Sequence, residues 1–246
     1  MRRLLRVLIV AALIIALLLG VATVAFGHPR PDAAPGPEGD AVAVRMTEAL
    51  GQAAWDQTGA VSWTFASNSH LWDRTRHYSQ VSWGETRVVV DLETQQGRAF
   101  HGDQEITDRR AVRLVKKAYA AWVNDSFWLC APFKANDPGT NRAAVPVEGQ
   151  DGVLVSYSSG GLTPGDAYLW LLGPDGVPTA WRMWVSVIPV GGVEASWEDW
   201  VTLPTGARLA TTHRLGPATL RLGDVRGAAT LAELAPGPDP FAPLAH

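Results

Sequence analysis

The chain has 246 residues, enough for one sizeable domain or two. It carries 21 basic and 24 acidic residues, for a formal net charge of −3, and a single cysteine. An acidic balance argues against a nucleic-acid surface, which needs a basic patch, and one cysteine excludes an intramolecular disulfide framework.

Residues 1–27 read as a signal peptide or a membrane anchor. Arg2, Arg3 and Arg6 precede an almost unbroken apolar run from Val7 to Phe26. Ala25-Phe26-Gly27 offers small residues for cleavage, whereas an apolar run of about 20 residues suits an uncleaved spanning helix. Either way the arginines stay cytoplasmic and the remainder is exported. Without those arginines, 18 basic face 24 acidic residues, a net −6. The predicted location is extracytoplasmic or periplasmic, with a tether to the inner membrane through residues 7–26 as one alternative. Residues 28–40, rich in Pro, Gly and Ala, predict a flexible spacer, and 235–246 predict a disordered tail. The folded domain is then 41–234.

Asp40 to Thr58 reads as a first helix, closed by Gly59. From Val61 the period changes to two: Val61, Trp63 and Phe65 alternate with Ser62, Thr64 and Ala66, as on a half-buried strand. Leu71–Gly84 predicts two strands or one long bent strand. Glu85–Leu92 and Gly97–Gly102 predict further strands. Thr107–Asn124 is the clearest helix, with Thr107 as N-cap, an apolar face of Ala111, Leu114, Val115, Ala118, Tyr119 and Trp122, and a basic remainder. That basic face suits either anionic headgroups or plain solvation.

Phe127 to Gly139 follows, apolar and aromatic but interrupted by Pro132 and Pro138 and closed by the turn Asp137-Pro138-Gly139. It reads as an irregular lid, with Phe127, Trp128 and Phe133 as its contact residues. Beyond it come Val153–Tyr157, Ala167–Leu172, Ala180–Ile188, Val193–Val201, Ala207–His213 and Ala218–Leu222 as antiparallel strands, with Gly173-Pro174-Asp175-Gly176 as a hairpin turn. The expected class is α+β: one large, curved antiparallel sheet with few helices.

Eleven tryptophans invite two explanations. They fill an ordinary core, or they line an apolar cavity with Met183 as a pliable wall. Trp63, Phe65, Trp170, Trp181 and Met183 are the candidate cavity residues. No histidine or cysteine pattern with ligand spacing suggests a metal, no glycine-rich loop suggests a phosphate cofactor, and no nucleophile elbow is present. The expectation is therefore no catalytic residue, no metal, no cofactor and no enzyme activity. An envelope hydrolase built on His77 or His101 with a nearby acid or serine is a rival that would need one of them in a pocket, within hydrogen-bond reach of a carboxylate.

The helix, then Val61-Ser62-Trp63-Thr64-Phe65, Arg87-Val88-Val89-Val90-Asp91-Leu92, a second helix and Phe127-Trp128-Leu129-Cys130-Ala131-Pro132-Phe133-Lys134 with Asp137-Pro138-Gly139 resemble the LolA/LolB-like lipoprotein-carrier superfamily. They are especially similar to uncharacterised exported bacterial members with a YWL-x-x-P-x-K and DPG signature. The resemblance covers most of 45–225. It implies an incomplete β-barrel plugged by two or three helices, holding lipid or lipoprotein acyl chains in an apolar cavity, and it brings no catalytic residues. The chain departs from soluble carriers by its apolar leader and from lipoprotein members by lacking a lipobox at Cys130. A structural or interaction module of the cell envelope with a packed core is the alternative.

Overall fold

The computed structural model describes residues 26–158 and 165–244, so the expected leader lies almost wholly outside the described residues. Among the described residues no helix is long and apolar enough to cross a membrane. The described residues divide into two compact units: unit 1 contains residues 26–43, 137–158, 165–196 and 214–218, and unit 2 contains 44–136, 197–213 and 219–244.

The class is α+β, with two large antiparallel sheets, few helices and no closed barrel among the described residues. Helix α1 (Pro37–Ala49) starts on a proline, which the first turn tolerates because its missing N–H would have no helical partner. The single helix expected over 40–58 is broken in two. Gly51 adopts a left-handed φ of 79°, its N–H bonds to Glu48 O at 2.9 Å, and a short α2 (Gln52–Asp56) restarts beyond it.

Strands β1 (Ala60–Phe65), β2 (Asn68–Asp73), β3 (Tyr78–Trp83), β4 (Thr86–Asp91), β5 (Gly97–His101) and β6 (Gln104–Ile106) form a meander in unit 2. Helix α3 (Arg109–Cys130) follows, capped by Asp108, whose side chain accepts from Arg110 N, rather than by Thr107. The helix runs six residues past its expected end. Phe127 and Trp128 therefore sit on its last turns rather than in an irregular lid. The helix stops at Cys130 because Pro132 has no N–H to continue the ladder, and Ala131–Lys134 form one 3₁₀ turn.

In unit 1, β7 (Thr140–Ala144), β8 (Asp151–Tyr157), β9 (Ala167–Leu172), β10 (Pro178–Trp184) and β11 (Val193–Ser196) make a five-stranded sheet in the order β11-β10-β9-β8-β7. Then β12 (Glu198–Thr202), β13 (Arg208–Leu215) and β14 (Ala218–Ala228) complete a nine-stranded sheet, β12-β13-β14-β1-β2-β3-β4-β5-β6. The single large sheet expected from the sequence is thus two. The 193–201 run, read as one strand, changes partner at buried Trp197: β11 pairs with β10, and β12 pairs with β13.

Both segments expected to be loose are held. Along the spacer, His28 N–H bonds Gly191 O at 3.1 Å and Gly36 N–H bonds Arg142 O at 3.0 Å, while Arg30 Nη2 donates to Ser156 Oγ at 2.9 Å. Gly39 packs so tightly that a Cβ would fall 2.4 Å from Arg142 O. A short helix α4 (Leu231–Leu234) closes the expected domain, and the tail beyond it carries a 3₁₀ turn (Ala242–Leu244) and buries Phe241 against Val89 and Phe100. Low apolar content misleads in both cases because a few well-placed contacts suffice to fix a short strap on an existing sheet.

Candidate functional site

Strand register determines which side chains meet. Trp63 faces His70 and Phe65 faces Asn68 across β1 and β2; His70 in turn faces Val81, which faces Val88, which faces Ala99. Directly paired residues share a face, so these side chains lie on one side of the unit 2 sheet. Helix α3 packs on that side through Val115 and Ala118, with Leu114, Tyr119 and Trp122 alongside. Asp125 lies three residues beyond Trp122 and seven beyond Ala118, so it continues the same helical face onto the sheet.

There it meets His70. His70 Nε2 lies 2.8 Å from Asp125 Oδ2, and the two side chains are 0 % and 5 % exposed. Asn68 Nδ2 donates to the same carboxylate oxygen at 2.9 Å, and Asn124 Nδ2 donates to Oδ1 at 2.9 Å. A carboxylate oxygen accepts, so His70 Nε2–H donates to it, and in the imidazole tautomer that this hydrogen bond selects Nδ1 is an acceptor. The imidazole stacks on Trp63 with ring centroids 4.4 Å apart and planes 6° apart. Among the described residues, His70 Nδ1 and Trp63 Nε1 are buried without a hydrogen-bond partner. Nearby on the helix, Trp128 lies 5.2 Å from the ring of His213, which meets Trp197 edge-on at 4.4 Å.

The residues singled out from sequence fall in two places. Trp63 and Phe65 lie on β1 of unit 2, the first buried and the second half-buried. Trp170, Trp181 and Met183 lie on β9 and β10 of unit 1, where Trp170 faces Trp181 in register and their rings are 4.9 Å apart. Trp63, Trp170, Trp181 and Met183 retain 3 % exposure or less. Phe127 and Trp128 are half-buried on α3, and Phe133 stacks on Trp55 at 4.9 Å and 13°.

His77 and His101 are exposed and reach only exposed acids, Glu93 at 3.7 Å and Glu85 at 3.1 Å. Neither has the enclosed setting that the hydrolase reading needs. Cys130 is buried and its thiol donates to Ser126 O at 3.1 Å. Of the basic residues on α3, Lys117 lies over the Trp83 ring at 4.3 Å. Glu194 and Glu198 belong to different sheets, and Glu194 pairs with Arg182 at 2.9 Å. A shallow cleft of about 440 Å³ in unit 2 is lined by 201–204, 225–228, Glu233 and Leu234, and none of the residues predicted to line a cavity touches it. Among the described residues no cluster of three or more His, Cys, Asp or Glu side chains is placed to hold a metal ion.

The His70–Asp125 pair is absent from the sequence-based expectations. Its signal was there: an aspartate on the apolar face of α3, in phase with Ala118 and Trp122, needs a buried partner.

No family model matches the chain, and no curated protein matches it. Among solved structures, it is similar to the crystal structure of a DUF1329 family protein from Desulfovibrio piger ATCC 29098. The two share 10 % identity with a TM-score of 0.42, over 79 % of this chain and 93 % of that chain. A likeness at that level carries no inference about activity or ligand.

Proposed function

We propose that this chain is an exported lipid- or lipoprotein-binding protein of carrier type, acting by binding rather than by catalysis. The observation that carries the reading is the seat of α3. One long helix covers an aromatic-rich sheet face and ends in half-buried Phe127 and Trp128, immediately before a proline-broken 3₁₀ turn. In this reading the half-barrel is the open unit 2 sheet, α3 is its plug, and 127–134 is the gate. The apolar run of residues 7–26 keeps the protein beside the inner-membrane lipid it draws on.

The mechanism is transfer of an acyl chain from water to the face beneath the gate. Burial contributes about 0.8 kcal/mol per CH₂, so a chain of about 15 methylenes offers about 12 kcal/mol gross. That exceeds the cost of lifting two half-buried aromatics, each of which is worth about 3 kcal/mol or less. The near-zero exposure of Trp63, Trp170 and Trp181 favours a second reading, a non-catalytic envelope interaction module whose core is permanently packed. Titrating the delipidated full chain with a fluorescent fatty acid separates the two. Saturable uptake near one equivalent supports the carrier; unchanged probe emission at all concentrations supports the packed module.

A further inference from the structure

We infer that Trp63 and His70 form the site for the polar end of the ligand, and that this end carries a donor and an acceptor together, as a hydroxyl-bearing acyl glyceride does. The inference rests on the acyl-binding reading above and adds a headgroup class to it.

Two polar atoms set the specificity. Trp63 Nε1–H can only donate, and it is buried without a partner among the described residues. His70 Nδ1 is likewise buried without a partner, and its role is fixed from behind. Nε2–H donates to Asp125 at 2.8 Å, and in the tautomer that this hydrogen bond selects Nδ1 accepts. Asp125 is held in place by Asn68 and Asn124, which donate to its two oxygens at 2.9 Å each. The near-parallel stack, 6° between planes, holds the donor-bearing and acceptor-bearing rings in one rigid unit. A buried donor and a buried acceptor left unmatched are uncompensated for the water they lost. A hydroxyl satisfies both at once, because its oxygen accepts from Trp63 and its proton goes to His70. A carboxylate or a plain ester oxygen can only accept and leaves His70 Nδ1 facing a lone pair. Asp125 is therefore a positioning residue, which sets the tautomer without touching the ligand.

The test uses the full chain and two probes with the same acyl group, 1-palmitoylglycerol and methyl palmitate, in competition against a fluorescent fatty acid. The expected result is a preference for the glycerol ester of about tenfold, equivalent to about 1.4 kcal/mol. Trp63→Phe keeps the stack and deletes the donor, and His70→Phe keeps it and deletes the acceptor; each should bring the ratio of the two affinities close to one. Where His70→Phe fails to fold, Trp63→Phe alone decides. Binding of both probes with equal affinity by the wild type, or a preference that survives both substitutions, overturns the headgroup site while leaving acyl binding intact. A bound structure in which a buried water only bridges the two nitrogens also overturns it. Uptake of neither probe overturns the acyl-binding reading and this site with it.

Discussion

The C-terminal strap makes a demanding stability prediction. Phe241 is 1 % exposed and packs with Val89 and Phe100, flanked by Leu71, Tyr78, Leu231 and Leu244. Its ring centroid is 5.8 Å from that of Tyr78, and the Arg76 guanidinium lies 5.5 Å from it. Arg76 also grips Asp239 with both terminal nitrogens, at 2.7 and 3.0 Å. A buried Phe→Ala change typically costs about 3–5 kcal/mol. At a chain end the cost is limited, because the strap can detach once its anchor is gone. Phe241→Ala should therefore lose about 3 kcal/mol, the burial term of one phenylalanine. For a chain of this size that lowers Tm by about 6–12 °C. Removing residues 238–246 should cost the same within about 0.5 kcal/mol, because one anchor carries the docking. Urea denaturation of the wild type and both variants measures all three. A Phe241→Ala midpoint indistinguishable from wild type would refute the reasoning and restore the disordered tail that composition suggests.

Other expectations follow from single contacts. Asp125→Ala should destabilise by about 1–3 kcal/mol in urea titration, since it leaves the buried Nε2–H of His70 without its acceptor, and a neutral result would show the pair to be solvated. Gly97→Ala should cost about 1–3 kcal/mol by the same assay, because its Cβ would sit 2.2 Å from the Val89 carbonyl oxygen, which is backbone and cannot rotate away. Hydrogen bonding to Arg76 holds the Asp239 carboxyl below its usual range. Its contribution is present above about pH 4 and is lost as pH falls through the lowered value. Asp239 is exposed and the pair is worth about 1 kcal/mol or less, so Asp239→Asn should slightly flatten the acid limb of the stability–pH curve and leave neutral stability little changed. Burial, and secondarily Asp166, push the Tyr168 phenol upward. Folding stability tied to it is constant below about pH 10 and falls as the unfolded chain ionises above that, so an alkaline absorbance titration should show one tyrosine lagging until unfolding.

Much of the fold could be read from residue pattern alone. The Val61-Trp63-Phe65 alternation marks β1, and the Ala111-Leu114-Val115-Ala118 spacing marks α3 with the face it buries. What pattern could not supply were decisions made by tertiary partners. Nothing local in 193–201 says that Trp197 separates two sheets; that depends on which strands β11 and β12 find to pair with. The prolines at 132 and 138 suggested an irregular lid, yet Pro132 falls just after the last α-helical residue, where its missing N–H ends the helix rather than disrupting it. The tail looked loose because its two large apolar side chains, Phe241 and Leu244, sit among Pro, Gly and Ala; the pocket of Phe241 is made by β3, β4 and β5. In the candidate site, Trp63 was visible as a strand aromatic. Asp125 was hidden by a different cause. A helix ending at 124 would leave it in a loop, and only the longer α3 carries it onto His70.

The central claim is that the sheet face beneath α3 receives an acyl chain. Native mass spectrometry of the full chain, extracted and purified without a delipidation step, addresses it most directly. The account predicts a population heavier than the polypeptide by the mass of one acyl lipid, which collisional activation strips off. Only the bare polypeptide mass, both as purified and after incubation with 1-palmitoylglycerol, would contradict it.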